Sequence, residues 1–136
     1  MLRLLSFLLL FSVFNPISAS VSEPMKTQII AQCQRQDKPI IKSLRFARGS
    51  IGTTIQDKIA VCTTHDYLFS ARAGQKIDVR LLTGDQTSFT VYSPSQLIYE
   101  ADGVQSWSGR LPETGEYRLV IGTDVTANYT LEVTIR

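Results

Sequence analysis

The sequence predicts an all-β protein, a single antiparallel β-sandwich of about 7–8 strands with a short N-terminal arm or helix. Two observations carry this. Apolar residues alternate with polar ones over several short runs, most cleanly where Tyr129, Leu131, Val133 and Ile135 interleave with Thr130, Glu132, Thr134 and Arg136. Between the runs, turn-forming residues recur about every 8–12 positions, the spacing of short strands folded back on one another.

The chain opens with Arg3 followed by the apolar run Leu4–Phe14, then Asn15-Pro16 and the small residues Ser18, Ala19 and Ser20. This pattern predicts a secretory signal peptide over 1–19, cleaved after Ala19 or Ser20. At ~1.5 Å per residue the run is far shorter than the ~30 Å hydrocarbon layer, so a membrane-spanning helix is not expected. The expected location is exported, periplasmic or extracellular. Residues 20–41 form the expected N-terminal arm, in which only 23–36 has the composition of a short helix.

The expected sandwich runs from 42 to 136. Its strands include Tyr67-Phe69-Ala71, then Ile77-Val79-Leu81, then Tyr117-Leu119-Ile121 and finally the run that begins at Tyr129. The punctuating turns are Ala73-Gly74-Gln75, Thr83-Gly84-Asp85, Ser93-Pro94-Ser95, Ala101-Asp102-Gly103 and Thr114-Gly115-Glu116. No repeat or linker divides the chain, so one domain is expected.

Two cysteines, Cys33 and Cys62, in an exported chain predict a disulfide. It would close a loop of about 30 residues and contribute ~3–4 kcal/mol by the chain-entropy account. Two Cys and one His do not make a usual structural zinc set, so no metal and no cofactor are expected. Lys and Arg number 14 against 12 Asp and Glu, and they stand singly along the sequence, which argues against nucleic-acid binding.

The search for catalytic chemistry returns little. His65 is the only histidine, its expected place is a loop ahead of a strand starting at Tyr67, and a lone loop histidine is expected at the surface. No Gly-x-Ser-x-Gly nucleophile turn accompanies it. Glu113 and Glu116 flank one turn, where acids are usually solvated and not matched as a glycosidase pair. An enzyme is therefore not expected. Asn128-Tyr129-Thr130 fits a glycosylation acceptor but is taken as the start of a strand. Trp107 is expected to be a core residue, with a sugar-stacking role as the alternative.

Leu111-Pro112-Glu113-Thr114-Gly115-Glu116-Tyr117 is the most distinctive segment. Proline fixes one φ and glycine permits a positive one, which predicts a rigid, presented hairpin over 112–118 that loses little entropy on binding. Arg110 and Arg118 flank it and offer guanidinium groups to an acidic partner.

Arg45-Phe46-Ala47-Arg48-Gly49, then Asp66–Gln75, then Thr114-Gly115-Glu116-Tyr117 occur in an order that resembles the periplasmic inhibitors of invertebrate-type and goose-type lysozymes. The resemblance covers 42–136, with Thr114 standing where that family more often has serine. It implies a β-sandwich whose Ser/Thr-Gly-x-Tyr loop enters the lysozyme cleft. By that likeness Thr114 brings its hydroxyl to a catalytic carboxylate, Gly115 permits close approach, and Tyr117 braces the loop or donates from its phenol. The chain also resembles pre-peptidase C-terminal domains, through Tyr-x-Phe-x-Ala, Ala-Gly-Gln and Thr-Gly-x-Tyr-x-Leu. That likeness implies an accessory module binding a glycan, a peptide or a cell-envelope protein through Trp107, Tyr92 or Tyr99.

Overall fold

The computed structural model describes residues 38–136 apart from Asp85. The expected signal peptide, the 23–36 helix and Cys33 lie outside the described residues. Eight strands follow in order: β1 (Lys38–Ser43), β2 (Gly52–Ile59), β3 (Thr63–Ala71), β4 (Lys76–Leu82), β5 (Thr87–Tyr92), β6 (Ser106–Arg110), β7 (Gly115–Thr123) and β8 (Ala127–Ile135), with one 3₁₀ turn at Tyr99–Ala101. They form two four-stranded sheets, β1-β3-β7-β5 and β2-β8-β4-β6.

The alternation explains the layers. Tyr117, Leu119 and Ile121 of β7 are buried against Ile77, Val79 and Leu81 of β4 and Tyr129, Leu131 and Val133 of β8, while the intervening residues face outward. Burying each such side chain contributes ~1.5–3 kcal/mol, which offsets the ordering of the strands.

Pairing is antiparallel except between β1 and β3, which run parallel with Lys38 opposite Thr63. The expected antiparallel sandwich of 7–8 strands is the fold observed, with this one parallel pair at its edge. The chain leaves β1, crosses to the other sheet for β2, and returns as β3, so two sheet changes restore the original direction. Pairing also begins at Lys38, within the stretch expected to be an arm.

His65 departs from its expected surface loop. It lies inside β3 and is only 3% exposed, because β3 begins at Thr63 and the alternation turns His65 inward with Tyr67 and Phe69. Its Nδ1 is 2.7 Å from the Tyr129 hydroxyl, which is 2.6 Å from the Tyr67 hydroxyl. Asp57 of β2 lies 3.7 Å from the same nitrogen and pairs with Lys42 of β1, so a polar strap joins the two edge strands.

This strap favours neutral imidazole. With the ring proton on Nε2, Tyr129 donates to Nδ1 and Tyr67 donates to Tyr129. A proton on Nδ1 would reverse both bonds and leave the Tyr67 hydroxyl proton without an acceptor in a site that is 1% exposed. Burial first, and the Lys42 charge second, hold the His65 pKa below its ordinary value, against the opposing pull of Asp57 and Asp66. A folded-state pKa below the unfolded one means the unfolded chain binds the proton more tightly. Stability is thus complete above ~6.5 and declines as pH falls toward the folded value. The urea midpoint is expected to be lower at pH 5 than at pH 7.5, above the range where Asp57 titrates; equal midpoints would contradict the strap's role.

Candidate functional site

The segment 111–114 joins β6 of one sheet to β7 of the other. It is therefore a crossover between sheets, and the expected 112–118 hairpin is corrected: β6 pairs with β4, while β7 pairs with β3 and β5. The reason is Leu111. It is 1% exposed, and burying it turns the chain through the end of the core before β7 begins. Its N–H donates to Gln75 O, and Gly74 N–H donates to Leu111 O, which moors the crossover to the β3–β4 turn.

Three further contacts fix the tip. Tyr117 is fully buried, stacks on Phe69 at 5.4 Å, and its hydroxyl donates to Glu113 O at 2.6 Å while accepting from Glu113 N–H at 2.9 Å. This resembles the tyrosine corner of other sandwiches. The Glu113 carboxylate accepts from Ser93 Oγ at 2.6 Å and from Ser95 Oγ and N–H, which tie the tip to the loop after β5. Those bonds, Ser93's first, hold the carboxyl below its usual pKa. Gly115, at φ +147°, lies so close to Pro94 that a Cβ would stand 2.9 Å from the ring.

Gly115→Ala is accordingly expected to cost ~1–3 kcal/mol, through both the positive φ and the Pro94 contact. Urea denaturation checks this, and an unchanged midpoint would show that the two loops separate without penalty.

Thr114 is exposed at the apex, and its Oγ1 accepts from Ala73 N–H at 3.0 Å. That bond orients the oxygen and leaves the hydroxyl proton free to donate outward, toward an acceptor such as a carboxylate. Arg110 lies beside it and donates from Nη1 to Gly74 O at 3.1 Å.

The structure brings Thr114, Gly115 and Arg110 together at one end of the sandwich. Arg118 is placed elsewhere, on the outer face of the β1-β3-β7-β5 sheet, with its guanidinium 4.7 Å from the Tyr92 ring centroid and 3.7 Å from Asp66. Tyr117 stands behind the tip as a brace, with its phenol turned to the Glu113 backbone.

Sequence reasoning took Glu113 as a solvated turn acid and missed its bonds to Ser93 and Ser95. The acid and the serines lie about 20 positions apart, and no local pattern joins them.

A groove of about 340 Å³ runs beside the tip, lined by Tyr92, the 93–96 loop, Glu116 and Arg118. Trp107 is half-buried and packs on the core with its ring over Gly109, so it is not a free stacking platform. Tyr99 is 81% exposed, at the 3₁₀ turn. Among the described residues no cluster of His, Cys, Asp and Glu forms a metal set, and no helix is long and apolar enough to cross a membrane. Cys62 occupies the β2–β3 turn and is not a free thiol; its expected partner, Cys33, lies outside the described residues.

Solved structures resemble this arrangement. Aeromonas hydrophila PliG, a periplasmic inhibitor of g-type lysozyme, aligns at a TM-score of 0.65 and 24% identity, covering 74% of this chain and 99% of that one. The chain shares that fold. Salmonella Typhimurium PliG aligns at 0.58 and 22% identity over 71% and 97% of the two chains. A mutant of the Escherichia coli PliG aligns at 0.57 and 17% identity over 72% and 98%. No protein-family model and no curated protein matches the sequence.

Proposed function

We propose that this protein is an exported, non-enzymatic inhibitor of a g-type lysozyme, working in the periplasm, and that the Leu111–Gly115 crossover is the element that enters the enzyme's cleft. The observation that carries the reading is the exposed Thr114, whose hydroxyl oxygen accepts from Ala73 N–H and whose proton has no acceptor among the described residues, on a braced crossover in a fold shared with g-type lysozyme inhibitors. Fold likeness alone does not give function, so the site has to supply the chemistry.

The chemistry is that of a plug. A glycosidase cleft carries carboxylates that must approach the glycosidic bond, and a hydroxyl donor presented on a rigid tip satisfies one of them while excluding substrate. Tyr117, Glu113 and the Gly115–Pro94 contact fix the tip beforehand, so little entropy is lost on docking. Arg110 adds a cation beside the apex, while Arg118 supports the wall of the adjoining groove. Cys62, the described member of the proposed Cys33–Cys62 disulfide, lies in the β2–β3 turn, at the other end of β3 from the tip.

An N-acetylglucosamine oligomer that fills the cleft is expected to displace the protein from immobilised g-type lysozyme. Binding that persists at saturating oligomer would place the contact outside the cleft and defeat this reading.

A further inference from the structure

We propose that the loop end of the sandwich is a cationic docking face that draws the protein onto the carboxylate-bearing cleft of its target, an inference that rests on the inhibitor reading above. In the sequence the basic residues are scattered. The fold gathers Arg45 and Arg48 from the β1–β2 crossover, Arg72 from the β3–β4 turn, Lys76 at the start of β4, Arg110 at the end of β6 and Arg136 after β8, all exposed and all at the end that carries Thr114. Lys76 and Arg136 exchange backbone hydrogen bonds at 2.8 and 2.9 Å, and Arg110 is the β6 partner of Lys76. These three line one depression of about 340 Å³.

Pairing separates these cations from those on the sheet faces. Lys42 pairs with Asp57, Arg80 with Glu132 and Arg118 with Asp66. Among the described residues, no carboxylate lies within ion-pair distance of Arg45, Arg48, Arg72, Lys76 or Arg110, and Arg136 has only Asp78, at 3.9 Å. Lys38 and Lys58 toward the other end are also unpaired, but they are two against five. The acids near the tip offset little of this charge: Glu113 is turned into Ser93 and Ser95, Asp78 is engaged by Ser108 and Arg136, and only Glu116 is open.

Unpaired, solvated cations around a projecting tip cost little to bring to an interface, and their summed field accelerates encounter with an acidic surface. No aromatic side chain lines the depression formed by Lys76, Arg110 and Arg136, so an acidic protein surface fits these cations better than a nucleic-acid strand, whose bases need stacking partners.

The test is the association rate with a g-type lysozyme by stopped flow, from ~20 to ~500 mM salt, for the wild-type protein and for Arg45→Glu/Arg48→Glu/Arg72→Glu, none of which has an ion pair to lose. The wild-type rate is expected to fall about tenfold or more with salt. The variant is expected to associate about tenfold more slowly at low salt, with its dissociation rate and β-sheet circular dichroism unchanged. Salt-independent, tight association would overturn this inference and leave the inhibitor reading standing. No association at any salt would remove both. Tighter binding to an oligonucleotide than to the lysozyme would assign the face to polyanions and overturn the inference.

Discussion

Tyr117→Phe is expected to lower stability by ~1–3 kcal/mol and to weaken lysozyme inhibition beyond what that loss explains. The ring remains on Phe69 and the core stays filled, but the hydroxyl that holds both the N–H and the C=O of Glu113 is gone. Those two groups then turn to water and the crossover gains freedom, which must be lost again on docking. Tyr117→Ala would add a cavity and cost ~3–5 kcal/mol, so the Phe variant is the informative one. Its stability is read from the urea midpoint and its inhibition from lysis of cell walls. If inhibition is unchanged while the midpoint falls, the brace is structural and does not prepare the tip for binding.

The second large effect is expected at Thr114. Thr114→Ala removes the exposed hydroxyl of the crossover, and the expected loss is ~2 kcal/mol or more of binding, roughly 30-fold in affinity. Its effect on folding should stay within ~1 kcal/mol, because the residue is exposed and Ala73 N–H can turn to water. Thr114→Ser keeps the hydroxyl and is expected to bind as the wild type does. Loss of binding by both would mean that the γ-methyl carries the contact.

How much of this was legible in the sequence depends on range. The strands were visible because alternation is local: each of β4, β7 and β8 announces its buried face within its own residues. The tip was visible for the same reason, since Pro112, Thr114 and Gly115 sit together. Whether the tip is a hairpin or a crossover was not legible. Only the long-range pairing of β6 with β4 and β7 with β3 decides it, and 112–118 reads the same in either case.

Long-range contacts also hid the Glu113–Ser93–Ser95 clamp, the burial of His65 and the parallel β1–β3 pairing. His65 seemed to be a loop residue because Thr63, Thr64 and Asp66 beside it are polar. It is buried because Tyr129, more than sixty positions away, supplies a hydroxyl partner. The cationic end was hidden in the same way, since its six residues come from four separate stretches of chain that meet only when both sheets are complete.

The most direct test is cell-wall lysis by a g-type and by a chicken-type lysozyme, each titrated with the oxidised protein and with its Thr114→Ala variant. Selective, saturable inhibition of the g-type enzyme by the wild type, lost in a variant of unchanged circular dichroism, is the predicted result. Undiminished lysis at a stoichiometric excess of folded protein, or inhibition that Thr114→Ala leaves intact, would contradict the claim that this end of the sandwich plugs the cleft.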